Sequence, residues 1–181
     1  MTASFTDRRN AASKEVEISL LSDQIIVSQA GLKKQAVPLD SVKQVRLAIE
    51  MAGQDTQIVC RVTAQDGTQI VFGSRRFVTV GSWENNADTF RTFLAQLHRA
   101  FKPYWPHIDF VEGQSLSFRW IMSGLGVLMA IISATFAIIL VLQDKSAGFF
   151  LVAPLVLGVW LAWLFRPQRP KPYDPSVYAG Q

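Results

Sequence analysis

The chain has 181 residues, is 49% hydrophobic and 18% charged, and carries a formal net charge of +4. Basic and acidic residues are mixed along its length, and no stripe of Lys and Arg interleaved with aromatics is present, so the composition argues against a nucleic-acid partner. One cysteine, Cys60, excludes an internal disulfide and a cysteine-rich metal cluster; its alternating apolar setting marks it for core packing.

Residues 1–14 hold Arg8, Arg9 and Lys14 but no apolar stretch, so they read as a disordered arm and not as a secretory signal. From Glu15 the apolar residues alternate in short runs, the period-two signature of half-buried strands. The runs Val16–Leu20, Gln24–Ser28, Lys33–Val37, Val42–Leu47, Thr56–Thr63, Thr68–Phe72 and Arg76–Val80 give about seven strands. Turn residues separate them at Ser22-Asp23, Ala30-Gly31, Pro38, Gly53, Asp66-Gly67 and Gly73, with Asp66-Gly67 the strongest hairpin signal. After Trp83 the period becomes helical: Phe90, Phe93, Leu94, Leu97 and Phe101 recur on one face, with Asn85 or Asn86 as N-cap and Arg99 and Lys102 at the far end. The expected fold is an α+β soluble domain over 15–102, about seven antiparallel strands in a bent sheet or barrel capped by a C-terminal helix, followed by an all-α transmembrane hairpin.

Residues 103–120 read as a juxtamembrane linker, with Tyr104, Trp105 and Trp120 suited to the headgroup region. Two segments then contain no ionisable residue. Residues 121–142 would extend roughly 33 Å as a helix and 148–165 roughly 27 Å, against a hydrocarbon core of about 30 Å, so both are expected to span. Gly126, Ala130 and Ala134 recur every fourth residue in the first, and Gly158 and Ala162 in the second, a spacing that lets helix backbones approach within a hairpin, in a homo-oligomer or against another membrane subunit. Pro154 is placed to kink the second span. The tail, 166–181, holds Pro167, Pro170, Pro172 and Pro175 and is expected to run extended in the cytoplasm. Arg119, Arg166, Arg169 and Lys171 flank the spans on one side, which puts both termini in the cytoplasm by the positive-inside rule.

The residues Leu20-Leu21-Ser22-Asp23-Gln24-Ile25-Ile26-Val27, the later run Val37-Pro38-Leu39-Asp40-Ser41-Val42-Lys43-Gln44-Val45, and the closing helix together resemble the bacterial branch of pleckstrin-homology-like domains. The resemblance covers roughly Glu15 to Lys102 and implies a recognition scaffold, not a catalyst. Phosphoinositide-binding relatives gather basic residues around the first hairpin, whereas Leu21-Ser22-Asp23 carries none.

No catalytic, cofactor or metal site is expected. His98 and His107 have no ligand spacing, the glycines form no phosphate-cradling loop, and Glu15 and Glu17 alternate with Val16 and Ile18 as an outer strand face would. Lys33, Lys34, Arg75 and Arg76 are the candidate contacts for an anionic surface or partner, with Asp23, Asp40, Asp66 and Glu84 expected to balance them. The sequence thus reads as a two-pass protein of the bacterial inner membrane that acts without catalysis, presenting its domain to recruit or stabilise a protein partner. The alternatives are an accessory subunit of a membrane enzyme complex and a sensor for a small molecule or lipid headgroup.

Overall fold

The computed structural model describes residues 3–9, 11–29, 31, 34–52, 54–143 and 146–180. Ala30, Lys33 and Gly53, named above, lie outside them. Two compact units emerge: Met1–Gly113 together with Lys171–Gln181, and the intervening Gln114–Pro170. The apolar segment is therefore an insertion into the first unit, which is completed by residues from the C-terminal end of the chain.

In the first unit, β1 (Ala3–Asp7), β2 (Val16–Leu20), β3 (Gln24–Gln29) and β4 (Gln35–Pro38) form an antiparallel sheet in chain order. A short 3-10 turn, Leu39–Ser41, leads to the antiparallel meander β5 (Val42–Ala52), β6 (Asp55–Ala64) and β7 (Gln69–Gly73). β8 (Arg75–Thr79) and β9 (Ser82–Asn85) make a separate ribbon, and α1 (Ala87–Ala100) follows. β10 (Asp109–Glu112) then runs parallel to β5. The Asp66-Gly67 turn forms as its chemistry demands: Gly67 has φ +88°, and Thr68 N and Oγ1 donate to the two carboxylate oxygens of Asp66 at 2.8 and 2.9 Å.

One core joins both sheets and the helix. Phe5, Ile18, Ile25 and Val37 enter it from the first sheet, Val45, Leu47, Cys60 and Phe72 from the second, and Phe90, Phe93, Leu94 and Leu97 from α1. The Phe5 ring lies 5.6 Å from Phe72 and 5.5 Å from Phe93, the spacing of favourable aromatic pairs.

Eleven strands, not seven, lie among the described residues. The expected alternating runs correspond to β2 through β8. The segment expected to be a disordered arm contains β1, which pairs with β2 along its whole length and buries Phe5. β9 and β10 are four residues each and too short for a period to register.

In the second unit, α2 (Leu116–Leu142) has 27 residues, about 40 Å of helix, and is long and apolar enough to cross a membrane. Ser115 caps it, its Oγ accepting from Phe118 N at 3.2 Å. The stretch expected as a second span divides into a 3-10 segment, Ser146–Leu151, and α3 (Val152–Leu164), whose 13 residues extend only about 20 Å. Pro154 explains the division. It cannot donate to a carbonyl one turn earlier, so it sits in the first turn of α3, where that bond is not needed, and does not kink a longer helix.

The two helices cross at their small residues. A Cβ on Gly126 would stand 2.6 Å from Ala162 N and 2.7 Å from Gly158 O; one on Gly158 would stand 2.7 Å from Ala130 N. Ser123 Oγ adds a hydrogen bond to Ala162 O at 3.2 Å. Gly126, Ala130, Gly158 and Ala162 of the expected seam thus meet within the chain, and Ala134 lies half-buried one turn beyond.

Replacing Phe5 by Ala should cost about 3 to 5 kcal/mol, as a buried aromatic truncation does. Thermal unfolding of the full chain in detergent, followed by near-UV circular dichroism, reads the loss; an unchanged midpoint would show that β1 is dispensable to the core.

Candidate functional site

Strand register fixes which residues share an end of the first unit. Glu112 lies beside Leu47 in the parallel β5–β10 pair, and Gly113 N donates to Leu47 O at 2.8 Å, so the chain leaves at that level. It returns at the same level: β11 (Lys171–Pro172) adds to the outer edge of β10, with Lys171 opposite Glu112. Across the sheet, Ala48 is opposite Val59 and Val59 opposite Gly73, whose N–H donates to Asp7 Oδ2 at 2.9 Å. Asp7 in turn pairs with Val16, and Val16 with Gln29. The neck of the insertion, the β3–β4 turn, the start of β8 and the β5–β6 hairpin therefore gather at one end.

Of the candidate cations, Lys34, Arg75 and Arg76 fall at this end. Lys34 is exposed in the β3–β4 turn, Arg75 pairs with Asp55 at 2.7 Å, and Arg76 pairs with Glu15 at 3.0 Å. The acidic residues expected to balance them are mostly elsewhere. Leu39 N donates to Asp23 O and Gln65 N to Ser41 O, which assembles the turns carrying Asp23, Asp40 and Asp66 at the opposite end. Of that set Glu84 alone lies close, opposite Arg76 in the β8–β9 ribbon. Sequence distance could not reveal this segregation, because Asp66 and Arg75 are separated by a strand that carries the chain from one end to the other.

A second group of cations was not singled out from the sequence. Arg46 and Arg61 are directly opposite on β5 and β6, an arrangement that like charges disfavour. Arg46 donates to Gln44 Oε1 at 3.0 Å; Arg61 lies 3.6 Å from Glu50, which also holds Arg9 at 2.9 Å. Burial first, and the Arg61 charge second, pull Arg46 below its ordinary pKa. The period-two spacing of Arg46, Glu50 and the opposite Arg61 was the available signal, but the pairing register is needed to read it.

The buried titratable groups serve the fold. Asp7 is almost fully buried; desolvation raises its pKa, against the lowering effect of the Gly73 hydrogen bond. Cys60 has no exposed surface, and burial pushes its thiol far above the ordinary range, which removes the thiolate a nucleophile requires. His107 is exposed at the end of a 3-10 segment.

His98 lies wholly inside the core. A carbonyl can only accept, so His98 Nδ1 carries the proton it shares with Leu94 O at 2.8 Å, and Nε2 accepts from the Tyr173 hydroxyl at 2.8 Å. Desolvation lowers the His98 pKa and raises that of Tyr173. Phe110, Tyr173 and Tyr178 surround the imidazole at ring distances of 5.6, 5.9 and 5.4 Å. Beyond them α4 (Ser176–Ala179) ends where Ala179 O accepts from Arg99 Nε at 2.7 Å. The expected extended tail is thus docked from Lys171 onward. Its prolines dominated the reading, whereas its two tyrosines were the signal for burial.

Among the described residues no group of His, Cys, Asp and Glu is arranged to hold a metal. No known protein family matches the chain, and no curated protein does. Comparison of folds finds a distant likeness to the hSac2 domain from human phosphoinositide phosphatase Sac2, at 9% identity and a TM-score of 0.40, over 64% of this chain and 76% of that one. A likeness of that depth carries no statement about activity.

Tyr173→Phe should destabilise the first unit by about 1 kcal/mol, the net worth of one neutral hydrogen bond. His98 adds a pH dependence of known sign: its folded pKa is depressed, so its contribution is full above about pH 6.5 and falls as acid protonates the unfolded state first. Midpoints measured from pH 8 to pH 5 should fall through that window and should fall less in His98→Gln; equal slopes would remove His98 as the cause.

Proposed function

We propose that this is a two-pass protein of the bacterial inner membrane in which a pleckstrin-homology-like unit, fixed against the cytoplasmic face, recruits or stabilises a protein partner without catalysing a reaction. The pairing of Glu112 with Lys171 carries the reading. Residues on either side of the insertion sit on neighbouring strands of one sheet, so a chain that crosses the bilayer through α2 has to cross again to reach β11. The segment available for that return is Gly148–Leu164, a continuous apolar run of which α3 is the helical part. The docking of Tyr173 and Tyr178 keeps the C-terminal residues with the first unit, hence on its side of the membrane. Arg119, Arg166 and Arg169 flank the same neck, which favours the cytoplasm for that side.

A recognition role is supported by what the polar groups do. His98, Asp7 and Tyr173 are committed to closing the fold, and Cys60 is inert. The antiparallel first sheet and the β5–β7 meander, closed by the aromatic face of α1, suit the pleckstrin-homology-like resemblance. The turns holding Asp23, Asp40 and Asp66 are farthest from the neck and offer the partner an acidic surface.

Topology is tested by a cysteine in place of Gln143, between the helices, and one in place of Gln65, in the β6–β7 turn. In sealed cells a membrane-impermeant maleimide should label the first and spare the second until the membrane is opened. Labelling of Gln65→Cys from outside would overturn the orientation. A photo-crosslinking residue at Asp40 should trap one defined protein in cells; a folded, correctly inserted protein that yields no adduct there would overturn recruitment through this end.

A further inference from the structure

The β5–β6 hairpin continues past the level at which the chain leaves the first unit. β10 stops at Glu112, beside Leu47, whereas β5 goes on in the same direction to Ala52 before the chain turns back into β6. Five further residues at about 3.3 Å each make an overhang of roughly 17 Å. Its two faces differ sharply. Ile49 and Ile58 are directly opposite each other, and Met51 follows on the same face by the period of two; they are 66%, 44% and 68% exposed. On the other face Ala48, Ala52, Gln57 and Val59 are buried within the unit, and around them Arg46, Arg61, Arg9 and Arg75 face two carboxylates, Glu50 and Asp55. Four cations against two anions leave an excess of positive charge.

We propose that this ribbon is a membrane-insertion element: its Ile49, Met51 and Ile58 face enters the headgroup–acyl boundary of an anionic bilayer, with Arg46 and Arg61 at the level of the lipid phosphates. The inference rests on the membrane reading above and adds a second contact between chain and bilayer. The connection sets the reach. Only Gln114 and Ser115 separate Gly113 from the first residue of α2, and the segment without ionisable residues begins at Trp120. Three extended residues and four helical ones reach about 16 Å at most, which is the length of the overhang. A ribbon exposed and apolar on one face, with cations around its packed face, has the chemistry of an interfacial element, which buries its apolar side a few ångströms below the headgroups while its cations attract anionic lipid. It also accounts for apolar side chains of this size standing exposed at the end of a paired hairpin.

The test uses the full chain reconstituted in vesicles of phosphatidylcholine and phosphatidylglycerol, with an environment-sensitive fluorophore on a single introduced cysteine; Cys60 is buried and does not compete. Three positions are compared: Met51→Cys at the ribbon, Gln65→Cys at the opposite end of the sheet, and Ile131→Cys within α2. The ribbon label should emit to the blue of the Gln65 label and lose most of its intensity to lipids brominated near the headgroup end of the acyl chain, while the Gln65 label is unaffected. A ribbon label as wet as that at Gln65 would overturn the proposal, as would one shielded from aqueous iodide yet untouched by brominated lipid, the signature of a second copy or another protein on this face. The Ile131 label separates the two readings: if it too escapes the brominated lipids, the membrane reading itself fails; if it alone is quenched, only the ribbon does.

Discussion

The chain that leaves the first unit at Gly113 has to come back to Lys171, because the outer edge of β10 and the imidazole of His98 are completed only by residues beyond the insertion. β11 supplies two residues of pairing, too little to hold a chain end by backbone hydrogen bonds alone. The holding is aromatic. Tyr173 and Tyr178 pack on Phe110 and His98, and the Tyr173 hydroxyl satisfies the one imidazole nitrogen that Leu94 does not. A buried histidine left with an unmet Nε2 would cost free energy comparable to a lost hydrogen bond, so the imidazole and the tail specify each other. With the two flanks of the insertion thus closed on each other, α2 and α3 form a hairpin.

That closure shapes the crossing of the helices. Two helices rooted at one neck pack along each other, and Gly126 opposite Gly158 lets their backbones come close enough that a methyl group on either would collide with main-chain atoms. In the proposed bilayer setting, where no hydrophobic gradient drives helices together, such close packing and the Ser123 hydrogen bond are the available sources of association. The seam is therefore occupied within the chain. A homo-oligomer would have to form through other faces of the helices or through the first unit.

The fold was legible where its physics is local. The seven alternating runs, the Asp66-Gly67 turn and the aromatic stripe of α1 are written in short windows whose period dictates the element. β1 was not: its one strong signal is Phe5, whose partners Phe72 and Phe93 are distant in sequence. The tail was misread for a similar reason. Proline content argues for extended chain, but Tyr173 and Tyr178 pack half-buried against His98, a partner 75 and 80 positions earlier that the two tyrosines alone do not identify. The length of α3 illustrates the converse, a local effect masked by a compositional one: hydropathy is continuous across residues 148–165, yet Pro154 decides where the α-helical hydrogen-bonding can begin. The candidate site lay furthest from view. Lys34, Arg75 and Arg76 were visible as basic pairs, but whether Asp23, Asp40 and Asp66 neutralise them depends on which turns share an end, and that follows from strand order.

Segregation of charge gives the first unit a direction that neither its net charge nor its fold would impose. At the neck end the arginines exceed their carboxylate partners, and those pairs leave guanidiniums partly unmatched, as with Arg46 beside Arg61; at the other end the turns present Asp23, Asp40 and Asp66. In the proposed arrangement the bilayer meets the end it would attract and the acidic turns remain with the cytoplasm. β6 has ten residues, about 33 Å at the rise of a strand, and sets the distance between the two ends. At the 8 Å screening length of physiological salt, the two ends are electrostatically independent. In that arrangement anchoring and recognition are served by opposite ends of one small unit.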